Sequence, residues 1–130
     1  MIVAGTVFKH TFIVDDHVYN GFRSTFKDEN ILHTNAEYAS DKGFAGRVMY
    51  GTILNGFLSY FVGELLPIKN VIIQSQTINY IKPVYLNDEL AFEAKVVDYY
   101  ESVKTAEIKF RFSNSAGLLV AKGLLEIGTI

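Results

Sequence analysis

The hydrophobic pattern of the chain is strongest between Gly46 and Leu66, GRVMYGTILNGFLSYFVGELL, which is the longest apolar segment. From Gly51 onward, apolar residues recur at steps of three and four, the spacing of one helical face. They are Ile53, Leu54, Phe57, Leu58, Phe61, Val62, Leu65 and Leu66. A second stripe of small residues would let neighbouring backbone approach closely, and Pro67 ends the segment. The pattern predicts one buried core helix.

A transmembrane span is the alternative interpretation of this segment. Polar residues and glycines interrupt the apolar run, which is shorter than the roughly 20 residues that cross a bilayer. We therefore expect no membrane association.

The residues before this helix predict one strand and two short helices. Gly5–Val14 is rich in β-branched and aromatic residues, as strands are. Asp15–Asp16 suits a helix N-terminus, and a helical apolar face follows, made of Val18, Tyr19, Phe22 and Phe26. After the polar, aperiodic stretch FKDENILH, the spacing of Thr34 and Glu37 fits a capping box that opens a second short helix, and Gly43 is its expected stop.

From Val71 onward the pattern changes to four long β-prone runs separated by short, turn-like breaks. The runs are VIIQSQTINYIKPV, ELAFEAKVVDYY, VKTAEIKFRFS and LLVAKGLLEIGT. Short connections favour antiparallel neighbours, and the alternation over Glu89–Val97 indicates one packed and one wetter face. The chain thus predicts an α+β fold: an antiparallel sheet of about five strands wrapped around one long central helix, which is the hot-dog arrangement. We expect one domain over residues 1–130.

Composition limits the classes of partner. The 130 residues are 49% hydrophobic, enough for a proper core, and the net charge of -2 comes from 12 basic and 14 acidic residues without a basic cluster. Nucleic acid is therefore not an expected partner. The absence of cysteine excludes disulfides and thiol nucleophiles. Without a charged and apolar leader, the expected location is cytoplasmic.

Candidate acid-base chemistry lies in the polar stretch before the capping box, where Asp28, Asn30 and His33 fall within six residues. On an ideal helix, a step of five residues turns roughly 500°, so Asp28 and His33 converge only if the segment is looped. A carboxylate and an imidazole facing one point can hold a water and move protons in both directions. The alternative is a solvated loop with an exposed histidine. His10 and His17 have no partner at ligand-like spacing, and no metal site is expected.

The start of the long helix, at Tyr50, Gly51 and Thr52, is a second candidate. Free N-H groups there can donate to an oxygen that gains negative charge, and glycine leaves room for its approach. The outline of a phosphate loop over Gly46–Thr52 lacks its lysine, so nucleotide binding is not expected. Ser59 lies too deep in the helix to be a nucleophile elbow.

Several segments in order resemble the MaoC-like family, which includes the (R)-specific enoyl-CoA hydratases. They are Asp28-Glu29-Asn30-Ile31-Leu32-His33, Tyr38-Ala39, Gly43-Phe44, Arg47-Val48-Met49-Tyr50-Gly51, Leu58-Ser59 and Tyr80-Ile81-Lys82-Pro83-Val84-Tyr85 with Asp88 and Leu90. The Asp-x-Asn-x-x-His loop is the most specific of them. The resemblance extends from about Gly5 to the end of the sequence.

This resemblance implies a hot-dog homodimer, or an oligomer built from dimers, that interconverts a trans-2-enoyl thioester and an (R)-3-hydroxyacyl thioester of CoA or acyl carrier protein. Asp28 and His33 would bracket the reacting water, Asn30 would order their loop, the N-H of Gly51 would bind the thioester carbonyl, and Ser59 would line the acyl tunnel. No metal or redox cofactor would be needed. An acyl-CoA thioesterase and a non-catalytic acyl-thioester-binding module are the alternative functions.

The chain departs from the family pattern at a few positions. Lys27 stands where a glycine is common, Ile31 replaces the usual proline, and Tyr50 replaces the usual histidine at the expected pocket rim. In place of a Pro-Gly-Asp turn the chain has Leu86–Asp88, in which Asn87 can adopt a positive φ.

Overall fold

The computed structural model describes residues 2–130, which form one strand, four helices and then four further strands. The elements are β1 (Val7–Ile13), α1 (Asp16–Phe26), α2 (Ile31–Thr34), α3 (Ala36–Asp41), α4 (Ile53–Tyr60) with a π-helical extension (Phe61–Leu65), β2 (Val71–Tyr80), β3 (Glu89–Tyr100), β4 (Thr105–Ser113) and β5 (Leu119–Thr129). All five predicted strands are present.

The strands form one antiparallel sheet in the order β1-β3-β4-β5-β2. The expectation that short connections join neighbouring strands is correct for β3 with β4 and for β4 with β5. It is wrong for β2 and β3, because β2 pairs with β5 and β3 pairs with β1. The two long-range pairings could not be read from connection length.

The connection between β2 and β3, residues 81–88, crosses the end of the sheet instead of turning back. Ile81 donates a backbone hydrogen bond to Val120 O (2.8 Å) at the β5 side, and Asn87 donates to Val14 O (2.7 Å) after β1. These bonds satisfy backbone groups that a hairpin would have paired with β3. The φ of +68° at Asn87 confirms the predicted positive-φ turn.

The central helix begins slightly later than predicted. Gly46–Tyr50 is not helical, since Val48 forms a β-bridge with Tyr85 and Met49 donates to Val84 O at 2.8 Å. Helix α4 and its π-helical extension then run to Leu65, and the backbone at Leu66 is extended before Pro67. The predicted stop is therefore confirmed.

Helix α4 is held against the inner face of the sheet by aromatic and aliphatic contacts. The Phe57 ring stacks on Phe12 of β1, with centroids 4.4 Å apart, and the Phe61 ring meets Phe92 of β3 at 5.0 Å. Leu54, Leu58 and Phe61 are buried. Full burial of each such side chain contributes roughly 1.5–3 kcal/mol, so the helix position is fixed by the core.

On strand β3, the predicted alternation is confirmed, because every second side chain is buried. Those side chains are Leu90, Phe92, Ala94 and Val96. Among the described residues, no helix is long and apolar enough to cross a bilayer.

The short helices follow the predicted signals with two differences. Asp15 caps α1 by accepting from the N-H of Val18, as expected. The stretch FKDENILH, predicted to be irregular, ends in the helical turn α2, because the Asn30 side chain caps it. The predicted capping box is wrong by one residue: Asn35, not Thr34, caps α3 by accepting from Tyr38 N-H. Gly43 follows α3 with φ +91°.

Candidate active site

The loop between α1 and α2, residues 27–30, turns the chain so that Asp28 and His33 can face one cavity. Lys27 ends α1 in the left-handed region with φ +58°. The Asp28 carboxylate accepts a hydrogen bond from Asn30 N-H (3.0 Å), and the Asn30 side chain accepts from Leu32 N-H (2.9 Å). Asn30 therefore orders the loop locally and starts the helical turn that carries His33.

A salt bridge on the outer side links α1 to the same loop. Arg23 donates to both oxygens of the Glu29 carboxylate, with its closest contact at 2.6 Å. This hydrogen bonding lowers the pKa of Glu29 below its usual range and raises that of Arg23. Both side chains are substantially exposed, so solvent screens the pair.

The His33 ring is oriented by a backbone carbonyl. Its Nδ1 lies 2.6 Å from Val48 O, and a carbonyl oxygen can only accept, so Nδ1 carries a proton. In the neutral ring, Nε2 is therefore the unprotonated nitrogen. The imidazole is arranged to take up or release a proton at Nε2.

Beneath the loop lie two buried tyrosines, Tyr19 of α1 and Tyr50, whose rings stack with centroids 5.7 Å apart. The Tyr19 hydroxyl donates to His33 O at 2.7 Å, and the Tyr50 hydroxyl donates to Asp28 O. Burial raises the pKa of Tyr50, so its hydroxyl remains a donor at neutral pH. Tyr50 is only 3% exposed, and it is one of the residues that line the cavity of the site.

The second half of the site is the turn that leads into α4. Val48 donates to Leu32 O at 3.2 Å, which ties this turn to α2. Within residues 2–130, the backbone N-H groups of Gly51 and Thr52 donate to no acceptor. The first N-H groups of a helix have no acceptor within the helix, and these two groups are of that kind.

An aromatic ring lies close to the Cα atom of Gly51. A Cβ atom at this position would lie 2.9 Å from Cε1 of Tyr80, which is shorter than real side-chain contacts allow. The Tyr80 ring belongs to the end of β2 and lies over the Gly51 backbone. The family resemblance includes Tyr80, but nothing in the sequence indicated its contact with Gly51, because the contact joins two elements that are distant in the chain.

One cavity of about 500 Å³ brings both halves together. Its lining includes Asp28, His33, Tyr50 and Gly51. Asn30 is not part of the lining of this cavity and acts on the loop alone. Ser59 is exposed on α4 and does not line the cavity, so among the described residues the predicted place in an acyl tunnel is not seen.

An adjoining groove of about 870 Å³ separates α1 from α4. It is mostly apolar and is lined by Val18, Phe22, Phe26, Asp28, Thr52, Ile53, Asn55, Gly56 and Phe57. Asp28, Thr52 and Ile53 line both spaces, so the groove and the cavity are continuous at the site. The sequence signal for this groove was the apolar face predicted for α1, but such a face is equally typical of a helix that packs on the core.

Comparison with known proteins shows the family of the chain. The sequence profile described as MaoC like domain matches residues 6–117, well over half of the chain. The chain belongs to the MaoC-like family. The (R)-specific enoyl-CoA hydratase of Aeromonas caviae is 28% identical to this MaoC-like chain over 102 residues, which are 78% of the chain and 76% of that protein.

Two further proteins resemble the MaoC-like chain. The mitochondrial 3-hydroxyacyl-[acyl-carrier-protein] dehydratase of Arabidopsis thaliana is 23% identical over 126 residues, 95% of this chain and 75% of that protein. The unliganded R-hydratase PhaJ1 of Pseudomonas aeruginosa has a TM-score of 0.88 and 26% identity, with 98% of this chain and 82% of that chain covered. The predicted family and hot-dog fold are confirmed.

The departures of this MaoC-like chain from the family pattern now have local explanations. Lys27 occupies a positive φ, which glycine adopts without strain. Ile31 is the first residue of α2, a position that suits proline because its N-H has no helical partner. Tyr50 supplies the hydroxyl that donates to Asp28 O.

Proposed function

We propose that this protein adds water to a trans-2-enoyl thioester to give the (R)-3-hydroxyacyl thioester, or catalyses the reverse dehydration, with Asp28 and His33 as the acid-base pair. The observation that carries the proposal is the single cavity that Asp28 and His33 share with the unpaired N-H of Gly51. A carboxylate, an imidazole and an amide donor around one space are the groups that this reaction requires.

The relatives confirm the class of reaction. The Aeromonas caviae protein is an (R)-specific enoyl-CoA hydratase, and the Arabidopsis thaliana protein is a 3-hydroxyacyl-[acyl-carrier-protein] dehydratase. Their names support a hydratase or dehydratase over a thioesterase or a non-catalytic acyl-binding module. The present chain is a hydro-lyase; the roles of its residues and the form of its thioester substrate are our proposal.

In the hydration direction, the oxygen of a water held between Asp28 and His33 forms a bond to C3 of the enoyl group. One member of the pair accepts the proton of that water as the C2-C3 π electrons move toward the thioester carbonyl. The Gly51 N-H donates to the carbonyl oxygen as it gains enolate charge. Return of a proton to C2 then completes the addition. The product has gained the elements of one water, as a hydroxyl at C3 and a hydrogen at C2.

No step of this scheme is an oxidation or a reduction, and the thioester itself acidifies the proton at C2. We therefore propose that the reaction uses no redox cofactor or metal. In this scheme Asn30 orders the loop, Tyr50 supports it from below, and Ser59 has no direct part.

We also propose that two copies of the chain associate through the edge of β2. This strand ends the sheet and pairs only with β5 among the described residues. Ile72, Tyr80 and Ile81 are large apolar side chains exposed on or beside it. An exposed edge of this kind is a template for another strand. Light scattering of the purified chain would give the mass of a dimer, and a monomer would contradict this proposal.

The function is tested by the loss of the enoyl-thioester absorbance with crotonyl-CoA and longer enoyl-CoA or enoyl-carrier substrates. Turnover by the wild type is expected, and Asp28→Asn or His33→Gln should lower kcat by roughly 100- to 10,000-fold. Asp16→Asn and His17→Gln are the matched controls, because both residues are exposed on α1 outside the cavity. Activity in the controls should stay near that of the wild type.

Two outcomes would overturn the proposed function. A wild type that leaves all the enoyl thioesters unchanged would exclude the hydratase, and free thiol released from a saturated acyl-CoA would favour a thioesterase. Variants of Asp28 and His33 that keep full hydratase activity would exclude the acid-base roles.

A further inference from the structure

The two residues proposed to exchange protons with substrate are each held at the main chain by a different buried tyrosine. Tyr19 donates to the carbonyl of His33 at 2.7 Å, and Tyr50 donates to the carbonyl of Asp28. Tyr19 is 1% exposed and Tyr50 is 3% exposed. The hydroxyls therefore act on the backbone that carries the reacting groups, from the side away from solvent.

The rings of these tyrosines are themselves fixed by their neighbours. Tyr19 and Tyr50 stack on each other, the Arg47 guanidinium lies 4.8 Å from the centre of the Tyr19 ring, and Phe22 packs on Tyr50 with centroids 4.6 Å apart. The positions of both hydroxyls are set by this packing. A buried phenol also needs a partner for its hydroxyl, so each hydrogen bond is costly to lose.

The loop above the tyrosines has little anchorage of its own. Residues 27–30 are all exposed, and they bury no apolar side chain. Their other hydrogen bonds join them to one another or to residues of the adjoining helices α1 and α2. The bond from Tyr50 is thus the contact that ties this loop to the core.

We propose that Tyr19 and Tyr50 are positioning residues that set the distance between the Asp28 carboxylate and the His33 imidazole, an inference that rests on the proposed function. Because the two rings stack, they form one rigid support with a hydroxyl for each reacting residue. A small displacement of one catalytic group relative to the other lowers the rate strongly, even when the fold is unchanged.

The test replaces each hydroxyl alone, with Tyr19→Phe and Tyr50→Phe. The control is Tyr85→Phe, which also removes a phenol that bonds to backbone, since the Tyr85 hydroxyl accepts from Ala45 N-H at 3.1 Å. We expect kcat to fall by about 10- to 100-fold in Tyr19→Phe and in Tyr50→Phe, with little change in KM. Tyr85→Phe should keep its kcat. If all three variants keep the wild-type kcat, the proposal is wrong.

A double-mutant cycle separates positioning from general loss of structure. If Tyr50 acts through Asp28, Tyr50→Phe should have almost no further effect on the residual rate of Asp28→Asn, because the group that it positions is already gone. An equal fold-loss in both backgrounds would show that Tyr50 acts elsewhere and would overturn its part of the proposal.

A measurement without substrate separates this proposal from the proposed function. Nitrogen NMR of isotopically labelled histidine should show the His33 ring protonated at Nδ1 in the wild type and in Tyr85→Phe, and a mixture of tautomers in Tyr19→Phe. If the wild type does not hydrate enoyl thioesters but Tyr19→Phe shifts the tautomer, the function fails and the support of His33 stands. If Tyr19→Phe has the wild-type spectrum, the support of His33 by Tyr19 is excluded.

Discussion

The two halves of the site are built by different means. The acid-base half, residues 27–34, supplies side chains. It is shaped by the side chains of Asp28 and Asn30, which accept hydrogen bonds from the backbone, and by two tyrosine hydroxyls that donate to it. The amide half, residues 48–52, supplies backbone N-H groups and is shaped by backbone bonds and by the Tyr80 ring. In the acid-base half, a single substitution can remove one hydrogen bond. In the amide half, the donors change only when the backbone shifts.

This difference decides how sensitive each half is to substitution. A hydroxyl or amide can be removed from the acid-base half with a small change in volume. In the amide half, a Cβ atom added at Gly51 would meet the Tyr80 ring, so that either the ring or the backbone must shift. We therefore expect a single methyl group to lower the rate strongly in the amide half, and substitutions of the residues that support Asp28 and His33 to lower it by graded amounts.

Among variants that keep both Asp28 and His33, the largest effect on kcat is expected for Gly51→Ala. The new methyl group would lie 2.9 Å from Cε1 of Tyr80, so either the ring or the backbone N-H must move. Loss of one donor to a developing oxyanion lowers kcat by roughly 100- to 1,000-fold. Steady-state kinetics with an enoyl-CoA would measure the loss.

Gly63→Ala is the matched control, because a Cβ atom there meets nothing within 4 Å. Combining Gly51→Ala with Tyr80→Ala should restore part of the rate by making room for the methyl group. A Gly51→Ala enzyme with full activity would break the comparison, since the amide half would then not depend on backbone position.

A smaller effect is expected for Asn30→Ala in the acid-base half. It removes the cap that accepts from Leu32 N-H, which should lower the free energy of unfolding by about 1 kcal/mol. Urea denaturation would measure the change, and kcat should fall while the enzyme remains folded. Asn30→Asp keeps an accepting oxygen and should retain most of the stability. Equal stability of all three proteins would show that the cap does not hold this half together.

Lys27→Gly is expected to stabilise the fold, by roughly 0.5–1 kcal/mol, because a residue with a Cβ atom is strained at φ +58°. Lys27→Ala keeps the Cβ atom and should give no gain, which separates backbone strain from loss of the lysine charge. The measurement is the urea midpoint of each variant. Stabilisation by alanine as large as that by glycine would contradict the argument from strain.

The smallest effect on stability is expected from removing the salt bridge between Arg23 and Glu29, and this effect should depend on pH. Because the pKa of Glu29 is lowered in the folded chain, its stabilisation is fully present above the unfolded pKa. It is lost as the pH falls through the lower, folded pKa. The thermal midpoint of Arg23→Gln should therefore lie slightly below that of the wild type at neutral pH and should approach it in acid, once Glu29 is protonated in both proteins. A difference that grows on acidification would contradict this assignment.

The sequence predicts most elements of the fold because their signals are local. The alternation in β3, the cap at Asp15 and the stop at Pro67 each depend on neighbouring residues, and all are confirmed. The order of the strands is not local. Nothing in β2 indicates that its partner is β5 instead of β3, so the pairing could be learned only from the structure.

The residues of the candidate site also divide into those with a local sequence signal and those without one. Asp28 and His33 could be singled out because they are close in sequence and carry reactive side chains. The tyrosine hydroxyls could not, because their acceptors are main-chain carbonyls 14 and 22 positions away, and a carbonyl has no residue type to recognise. Ser59 was singled out by resemblance alone, and the described chain leaves it outside the cavity.

The placement of β5 between β4 and β2 has a consequence for the order of assembly during synthesis. Strand β2 leaves the ribosome before β3 and β4, yet its partner is β5, so it must remain unpaired until residues 119–129 have followed. Strand β1 likewise remains unpaired until β3 has been synthesised. Because such long-range pairings slow folding and leave edges open, the nascent chain passes through a stage in which its apolar strands are exposed to aggregation and to chaperones.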